Sequence, residues 1–365
     1  MIRVSCEAHR SPFAAIFRSA TLDRWAQLQI NIKQVAKKAR VSTATVSRII
    51  NDSSLVSPET ARRVWRIIRK VNYHPDSQAR SLVSGRSRIL GLIISDVANP
   101  FFPELVKGFE NLALQNNYEV ILTNTNYDPA RMATCVRRLL ERRAEGVAIM
   151  TSEMDPELVD ELARRGIPIV FLDVGRVRNR ISNIRVDYAQ GIREAVDHLI
   201  TVGHRCIGFI SGPMNLKSAR TRKSAFLKCW SAYGLVGDSG LMVEGNHKID
   251  GGELAMFRLL QLKQRPTAVL ASNDLSAIGA FRAIRLAGLR IPEDISVVGF
   301  DDIDFGQFTH PPLATIRLSR TELGGKAFNA LFRILHGESK EGEEYNVETH
   351  FVVRESTGPA PNTGH

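Results

Sequence analysis

Residues 32–50 read IKQVAKKARVSTATVSRII and contain two short amphipathic helix patterns separated by a three-residue break. The first pattern has an apolar stripe at i, i+3, i+4 and i+7, formed by Ile32, Val35, Ala36 and Ala39. Ser42 is a natural N-cap for the second pattern, which turns its apolar residues Val46, Ile49 and Ile50 inward. The outward side chains of the second helix are then Thr43, Ala44, Ser47 and Arg48.

A third helix is predicted directly downstream. Ser57 is an N-cap candidate, and Pro58 suits the first helical position because that position needs no backbone N–H donor. The apolar stripe of this helix is Val64, Ile67, Ile68 and Val71. Asn72 and Pro75 then end the helix. Three helices of this kind close a small core.

The positive charge of the chain is concentrated around these helices. Residues 30–88 contain 13 Lys and Arg against three acidic residues, a net charge of +10, whereas the chain after Arg88 has a net charge of −1. Basic side chains gain free energy on duplex DNA by releasing its condensed counterions. The charge distribution therefore predicts a DNA-binding head on a neutral body.

Residues 76–82, DSQARSL, follow the third helix and are capped by Asp76. The segment is too short to form a stable helix in isolation. We expect it to become helical only when it is docked on a partner.

Residues 31–90 resemble the head of the lac repressor family in three motifs: VSTATVSRIIND, the SPET start of the third helix, and ARSL. The resemblance implies that the second helix enters the major groove, with Thr43, Ala44 and Arg48 at base edges. Arg48 has the chemistry for bidentate contact with guanine, whereas Ala44 offers an apolar contact, for instance with a thymine methyl group. The DNA-binding set that we predict is Thr43, Ala44, Thr45, Ser47, Arg48, Asn51, Arg80 and Leu82.

The same resemblance makes DSQARSL a hinge element in the minor groove. Paired hinge helices of two subunits would wedge apolar side chains into a base step and kink it, with Leu82 at the wedge position. The alternative is an ordinary linker leucine that packs on the body.

Beyond Arg88 the chain alternates short apolar runs with helical stretches. The runs are LGLII, VILT, GVAIM, IPIVFL, CIGFI, AVLA and ISVVGF, and the predicted helices are 103–116, 129–142, 156–165, 191–202, 222–233 and 274–287. Strands this uniformly apolar are typical of parallel sheets covered on both faces, and the number of runs fits two doubly wound lobes. In such sheets, ligands bind beyond the carboxyl ends of the strands.

The loops after these runs carry aromatic and polar side chains. They include DVANPFF at 96–102, Asp173, the segment SGPMNLKSARTR that ends at Arg222, the triplet Ser272, Asn273 and Asp274, and the pair Asp301 and Asp302. This array resembles the periplasmic-binding-protein-like effector domain of the same family, most closely that of sugar- and purine-responsive members, over residues 89–354. The fold class is thus an all-α helix-turn-helix head joined to a two-lobed α/β effector domain.

By this resemblance, Phe101 and Phe102 flank the ligand while Arg222 and Asp301 bind its polar edge. The other candidate effector contacts are Asn273, Asp173, Asp187 and His247. A carboxylate only accepts hydrogen bonds and a guanidinium only donates them, so the pair suits vicinal hydroxyls and favours a sugar or polyol.

Three of the acidic residues have a plainer alternative role: Asp274 caps its helix, Asp173 caps a turn, and Asp302 is solvated. His247 stands where several relatives carry an aromatic that stacks on the ligand. Because this chain has histidine in place of that aromatic residue, its ligand can differ from the ligands of those relatives.

Other classes of function lack their sequence signatures. The chain has no GxxxxGKS/T, GxSxG or HExxH motif, and Cys6, Cys135, Cys206 and Cys229 show no spacing typical of a zinc site or a disulfide framework. We expect no enzyme activity, metal or cofactor. No apolar run approaches the roughly 20 residues that cross a bilayer, and the start of the chain does not resemble a signal peptide, so we expect a cytoplasmic protein with no membrane partner.

These expectations combine into a domain plan. Residues 1–29 are unassigned, 30–74 form the head, 75–87 the hinge and linker, 88–354 the effector and dimerisation domain, and 355–365 a flexible tail. The predicted function is a homodimeric, ligand-controlled transcription regulator, in the first instance a repressor, that binds a near-palindromic operator. The alternative is a free-standing sugar receptor, which would have no use for the basic head.

Overall fold

The computed structural model describes residues 30–50, 56–73, 85–151, 156–173, 176–234 and 239–361. The chain divides into two compact units, residues 1–87 and residues 88–365. Within the described ranges, no helix combines the length and the apolar composition that crossing a membrane requires.

The head contains helices α1 (Ile32–Ala39), α2 (Thr43–Ile50) and α3 (Pro58–Lys70). Asn31 and Gln34 cap α1 reciprocally, and Arg40 ends it in the left-handed conformation, with φ 51°. Ser42 Oγ then accepts from the Thr45 N–H at 3.1 Å, which begins α2. Ser57 caps α3. The three predicted helices are thus confirmed around one core, whose buried residues are Val35, Ala36, Ala39, Val46, Ile49, Val64 and Ile68.

The described strands of the effector domain are β1 (Ile89–Ile94), β2 (Glu119–Asn124), β3 (Gly146–Met150), β4 (Ile169–Leu172), β5 (Ile181–Val186), β6 (Ile207–Ser211), β7 (Met242–Glu244), β8 (Ala268–Ala271), β9 (Ser296–Asp301), β10 (Ala314–Leu318), β11 (Glu344–Val347) and β12 (Thr349–Val352). Its helices are α4 (Phe101–Gln115), α5 (Pro129–Glu141), α6 (Pro156–Arg164), α7 (Tyr188–Thr201), α8 (Lys217–Ala232), α9 (Ile249–Leu260), α10 (Asp274–Leu286) and α11 (Arg320–Leu335).

These strands form two six-stranded sheets, one in each lobe. The first sheet has the order β11-β5-β4-β3-β1-β2, and all of its pairs are parallel. The second has the order β12-β10-β9-β8-β6-β7, in which only β12 runs antiparallel to its neighbour. The predicted pair of doubly wound lobes is therefore confirmed.

The chain crosses between the lobes at three points of the described structure: after β5, after β10 and between β11 and β12. Two of these crossovers are bonded together. The Asp187 N–H donates to Val347 O at 2.9 Å, and the Thr349 hydroxyl donates to Asp187 O at 2.6 Å. The first and third crossovers between the lobes are thus hydrogen-bonded to each other.

Helices α4 and α11 pack closely in the first lobe because glycines face the contact. A Cβ at Gly324 would lie 2.2 Å from Leu105 O, and one at Gly108 would lie 2.6 Å from Thr321 O. The two backbones approach too closely for a side chain at either position.

The C-terminal segment corrects one expectation, because residues 355–361 are not a loose tail. Ser356 is fully buried; its Oγ accepts from the Ala314 N–H at 2.7 Å and donates to Val297 O at 2.6 Å. The Ala360 N–H donates to Val202 O at 2.9 Å. The Pro and Gly residues near this end of the sequence favour fraying, but hydrogen bonds hold residues 355–361 to the second lobe.

Candidate DNA-binding head and effector site

Helix α2 presents the side chains that the sequence assigned to base contact. Thr43, Ala44 and Arg48 are exposed, whereas Thr45 and Ser47 are half-buried. The exposed face is set by burial of the opposite stripe, so the helix has one short, mainly polar surface. Three further candidates, Asn51, Arg80 and Leu82, lie outside the described residues, as does the predicted hinge.

The head surrounds this helix with exposed cations. Every Lys and Arg of residues 30–50 and 56–73 is exposed, and Glu59 is the only carboxylate in those ranges. Such a surface is suited to the phosphates of a duplex, whose contacts position a protein on DNA while base contacts supply specificity.

The effector domain contains a cavity between its lobes, at the carboxyl ends of the strands. The empty space between its lining atoms, including the part that is open to solvent, is about 560 Å³. First-lobe residues in its lining are Ser95, Asn99, Phe101, Phe102, Tyr127, Met150, Thr151 and Leu172; those from the second lobe and the crossovers are Tyr188, Leu216, Ser218, Arg222, His247, Asn273, Asp301 and Leu318. Six of the eight predicted effector contacts, His247 among them, thus meet in one cavity.

Arg222 and Asp301 form a buried ion pair in the cavity wall. Arg222 Nη2 lies 3.5 Å from Asp301 Oδ1, and Nη1 donates to Ser272 O. The guanidinium carbon lies 4.1 Å from the centre of the Phe300 ring and 4.9 Å from that of Tyr188, within the range of cation–π attraction. These contacts fix the guanidinium in one position.

Asp301 in this wall and Asp274 behind it have raised pKa values. Burial raises the pKa of Asp301 to about 6, and the charges of Arg222 and Arg320 oppose the shift. Burial and the neighbouring Asp301 charge hold the pKa of Asp274 well above its usual value. Asp274 accepts from the Thr315 hydroxyl at 2.5 Å, as well as from a backbone N–H, and is not the N-cap of α10; Asn273 fills that role. The capping alternative for Asp274 is therefore wrong.

His247 is buried in the second-lobe wall, in the left-handed conformation with φ 61°. Its carbonyl accepts from Asn273 Nδ2 at 2.9 Å. Burial and the Arg222 charge lower its pKa to about 3, so the ring is neutral at physiological pH. The Nε2 edge lies against Gly212, where a Cβ would be 1.9 Å away.

Asp173 lies behind the cavity and is not part of its lining. One carboxylate oxygen accepts from the Val186 N–H at 2.9 Å and the other from the Tyr188 hydroxyl at 2.5 Å. Burial raises its pKa, against the effects of these hydrogen bonds and of Arg222. Asp173 therefore supports Tyr188, which does line the cavity.

Asp187 is exposed at a crossover and caps α7, where its carboxylate accepts from the Ala189 and Gln190 N–H groups at 3.1 and 3.2 Å. The structure does not bring it to the cavity. Asp302 is buried and bonded at 2.6 Å to both Arg317 and Arg354, so the solvated alternative for Asp302 is wrong.

The sequence missed several lining residues. Tyr188 directly follows Asp187, and Asn99 lies inside DVANPFF, so both stood in segments already singled out. Leu318 had no such signal, because β10 lacks a long apolar run. Tyr127 follows the run VILT, but no residue of that loop was singled out.

Both units match described families. Residues 31–76 match the bacterial regulatory proteins of the lacI family, and residues 87–355 match the periplasmic binding proteins and sugar binding domain of LacI family. The chain belongs to the LacI family. The helix-turn-helix head and the two-lobed α/β domain expected from the sequence are confirmed by these matches.

Relatives across the LacI family cover nearly the whole chain. The HTH-type transcriptional repressor PurR of Mannheimia succiniciproducens is 36% identical over 327 residues, which cover 89% of this chain and 98% of that protein. The structure of the lac repressor dimer bound to operator and the anti-inducer ONPF has a TM-score of 0.82 and 29% identity, covering 90% of this chain and 99% of that one. The CelR–cellobiose complex has a TM-score of 0.68 and 29% identity, covering 90% and 100%.

This LacI-family chain is therefore a DNA-binding transcriptional regulator with a small-molecule effector domain. The head matches a family of DNA-binding regulators, and the relatives are repressors. Both findings favour the DNA-binding function over the alternative of a free-standing sugar receptor.

Proposed function

We propose that the protein is a cytoplasmic, homodimeric repressor without enzyme activity, which binds a near-palindromic operator. The relative described as a lac repressor dimer on operator supports this assembly, and the repressor names of the curated relatives support the sign of regulation. Two heads related by a dyad require two half-sites related in the same way.

The proposed effector is a sugar or polyol held between Phe101 and Phe102 on one side and Arg222 and Asp301 on the other. The observation that carries this proposal is the buried Arg222–Asp301 pair, which offers a fixed donor beside a fixed acceptor in the cavity wall. Adjacent hydroxyls both donate and accept, so they match such a pair. The CelR relative, described as a complex with cellobiose, supports the same ligand class.

The proposed switch couples the cavity to the head. A ligand that binds one arrangement of the lobes better than another shifts their populations, and the coupling free energy in such systems is about 1–3 kcal/mol. The hydrogen-bonded crossovers at Asp187 and Thr349 are where a rotation of the lobes would be absorbed. Arg48 is the proposed base reader and Leu82 the proposed wedge.

A thermal-shift panel tests the ligand class. It compares neutral sugars and polyols (D-ribose, cellobiose, D-sorbitol) with sugar acids and nucleobases. We expect a neutral polyhydroxyl compound to stabilise the protein by about 2.7 kcal/mol at a hundredfold excess over its Kd. Asp301→Ala should lose this response, whereas Asp294→Asn, which changes an i, i+4 ion pair with the exposed Arg290, should keep it. A response only to sugar acids or nucleobases would overturn the assignment.

Selection of duplexes from a random pool tests the DNA part. The full-length protein should enrich sequences with dyad symmetry. Enrichment of a single half-site, or no enrichment over the starting pool, would contradict the hypothesis that a homodimer binds a near-palindromic operator.

A further inference from the structure

Arg320 is a buried cation at the crossover from the second lobe to the first. It is the first residue of α11 and follows β10 by two positions. Its side chain is only 9% exposed. A guanidinium in this position loses most of its hydration and needs carboxylate partners to offset that loss.

The partners of Arg320 come from different lobes. Nη2 lies 2.8 Å from Oε2 of Glu104, on α4 of the first lobe, and 3.3 Å from Oδ1 of Asp304, in the 3-10 helix that follows β9 of the second lobe. The other terminal nitrogen, Nη1, is buried and has no hydrogen-bond partner among the described residues. The two carboxylates are therefore the anionic groups that hold this guanidinium.

Each of the three joined segments also supplies the cavity wall. Phe101 and Phe102 begin α4, one turn before Glu104. Asp301 ends β9, three residues before Asp304, and Leu318 ends β10, two residues before Arg320. Helix α4 is in turn packed backbone to backbone on α11 at Gly108 and Gly324, so the first-lobe side of this junction is stiff.

We infer that Arg320 is a positioning residue: by joining Glu104 to Asp304 it fixes the phenylalanine wall of the effector cavity against the Arg222–Asp301 wall. This inference rests on the proposed function of the cavity. Any motion that separates the two walls takes one carboxylate away from the buried guanidinium, so the junction opposes opening of the lobes. Its charge also acts on Asp301 itself, which links the junction to the ligand-binding carboxylate.

Hydrogen exchange of the full-length protein, without any added ligand, tests the junction across the lobes. Glu104→Gln changes only the first lobe, yet we expect faster exchange of Asp304–Phe308 in the second. Asp304→Asn changes an exposed second-lobe side chain, 71% accessible, yet we expect faster exchange in the first turn of α4. Arg320→Met should accelerate both segments, by about fivefold, and Arg320→Lys should restore part of the protection.

The matched control is Arg317→Met. Arg317 lies on β10, three residues before Arg320, and pairs at 2.6 Å with Asp302, which is also in the second lobe. This variant should leave α4 unchanged. If Glu104→Gln and Asp304→Asn alter exchange only in their own lobes, Arg320 has a local structural role and the inference is overturned.

The result is independent of the ligand panel. If neither variant changes hydrogen exchange in the opposite lobe, the positioning role is overturned even if a sugar binds. If no sugar or polyol stabilises the protein, the proposed ligand class is overturned even if the lobes are coupled through Arg320.

Discussion

The Tyr188 hydroxyl donates a 2.5 Å hydrogen bond to Oδ2 of Asp173. The bond connects the first-lobe strand β4, which Asp173 follows, to the start of α7 in the second lobe. It also fixes the tyrosine ring beneath the Arg222 guanidinium. A carboxylate outside the cavity therefore helps to shape the cavity wall.

Tyr188→Phe removes this bond and keeps the ring. We expect the free energy of unfolding to fall by about 1–3 kcal/mol, because a partly buried carboxylate loses a partner. Urea unfolding measures the change. Tyr233→Phe is the control: it removes a 2.6 Å bond to Asp197 at an exposed site and should change stability by less than about 0.5 kcal/mol. Equal effects of the two variants would contradict a special role for the Tyr188 bond.

Arg48→Ala should weaken binding to the selected operator by about 1–3 kcal/mol, because it removes the side chain of the proposed bidentate base contact. Binding to unrelated duplex should change little. Arg63→Ala, an exposed cation on α3, is the control and should not alter the ratio of specific to nonspecific affinity. Fluorescence anisotropy with both duplexes measures the affinities of the wild-type protein and of the two variants. Equal losses on operator and unrelated DNA for Arg48→Ala would refute its base-reading role.

Leu82→Ala tests the wedge, which rests on the sequence alone because Leu82 lies outside the described residues. Apolar wedges of this kind kink a duplex by about 20–90°. We expect the variant to reduce the bend, measured by energy transfer between the operator ends, while Val83→Ala retains it. An unchanged bend would remove the wedge from the account.

The raised pKa of Asp301, about 6, predicts a pH-dependent effector affinity. Below that pH the carboxylate is protonated and accepts ligand hydroxyls less well, so affinity for the panel sugar should fall by up to about tenfold from pH 6 to pH 5. The pKa of His247 is lowered to about 3, so this ring does not titrate in that range. Calorimetry across pH 5–8 measures the profile. Asp301→Asn should bind weakly and without this pH dependence; a parallel decline in that variant would assign the titration to another group.

Stability of the empty protein has the opposite pH dependence. The unfolded aspartate ionises near its usual pKa of 3.8, before the folded one does, so this carboxylate makes the free energy of unfolding fall as pH rises from about 4 to 6. The raised pKa of Asp274 acts with the same sign.

Two adjacent glycines in α11 provide a test of close packing. Gly324→Ala places a Cβ against Leu105 O and should destabilise the protein by about 1–3 kcal/mol. Gly325→Ala meets only Leu112 Cδ1, at an ordinary 3.6 Å, and should be neutral or stabilising by up to about 1 kcal/mol, because alanine favours helix. Thermal unfolding compares them. If both variants lower the Tm equally, the helix contact is not as close as described.

The sequence predicted the elements whose apolar pattern is long or strictly periodic. The three head helices were predictable from their apolar spacing and N-caps, and the strands containing LGLII and SVVGF from their continuous apolar runs. It did not predict β5 or β10, because polar residues interrupt the apolar pattern in ISNIRV and ATIRL. Of these, Ser182, Asn183 and Thr315 are buried, whereas Arg185 and Arg317 are exposed. Pairing with distant strands defines these elements, and local pattern does not contain that information.

The candidate site shows the same division. Arg222, Asn273 and Asp301 were predictable because each follows a recognisable buried strand and strand ends meet at one edge. Asp173 and Asp187 also follow strands, but the first bonds Tyr188 and the second caps α7. The direction of a side chain after a strand depends on backbone conformation and on distant partners, which spacing does not specify.

The anchored segment around Ser356 has a practical consequence for handling the protein. Its hydroxyl forms hydrogen bonds with backbone groups of two neighbouring strands. Proteolysis or truncation before this serine would therefore remove both bonds from the second sheet. Purification tags and reporter fusions at this end should be joined beyond residue 361, through a spacer that leaves these bonds in place.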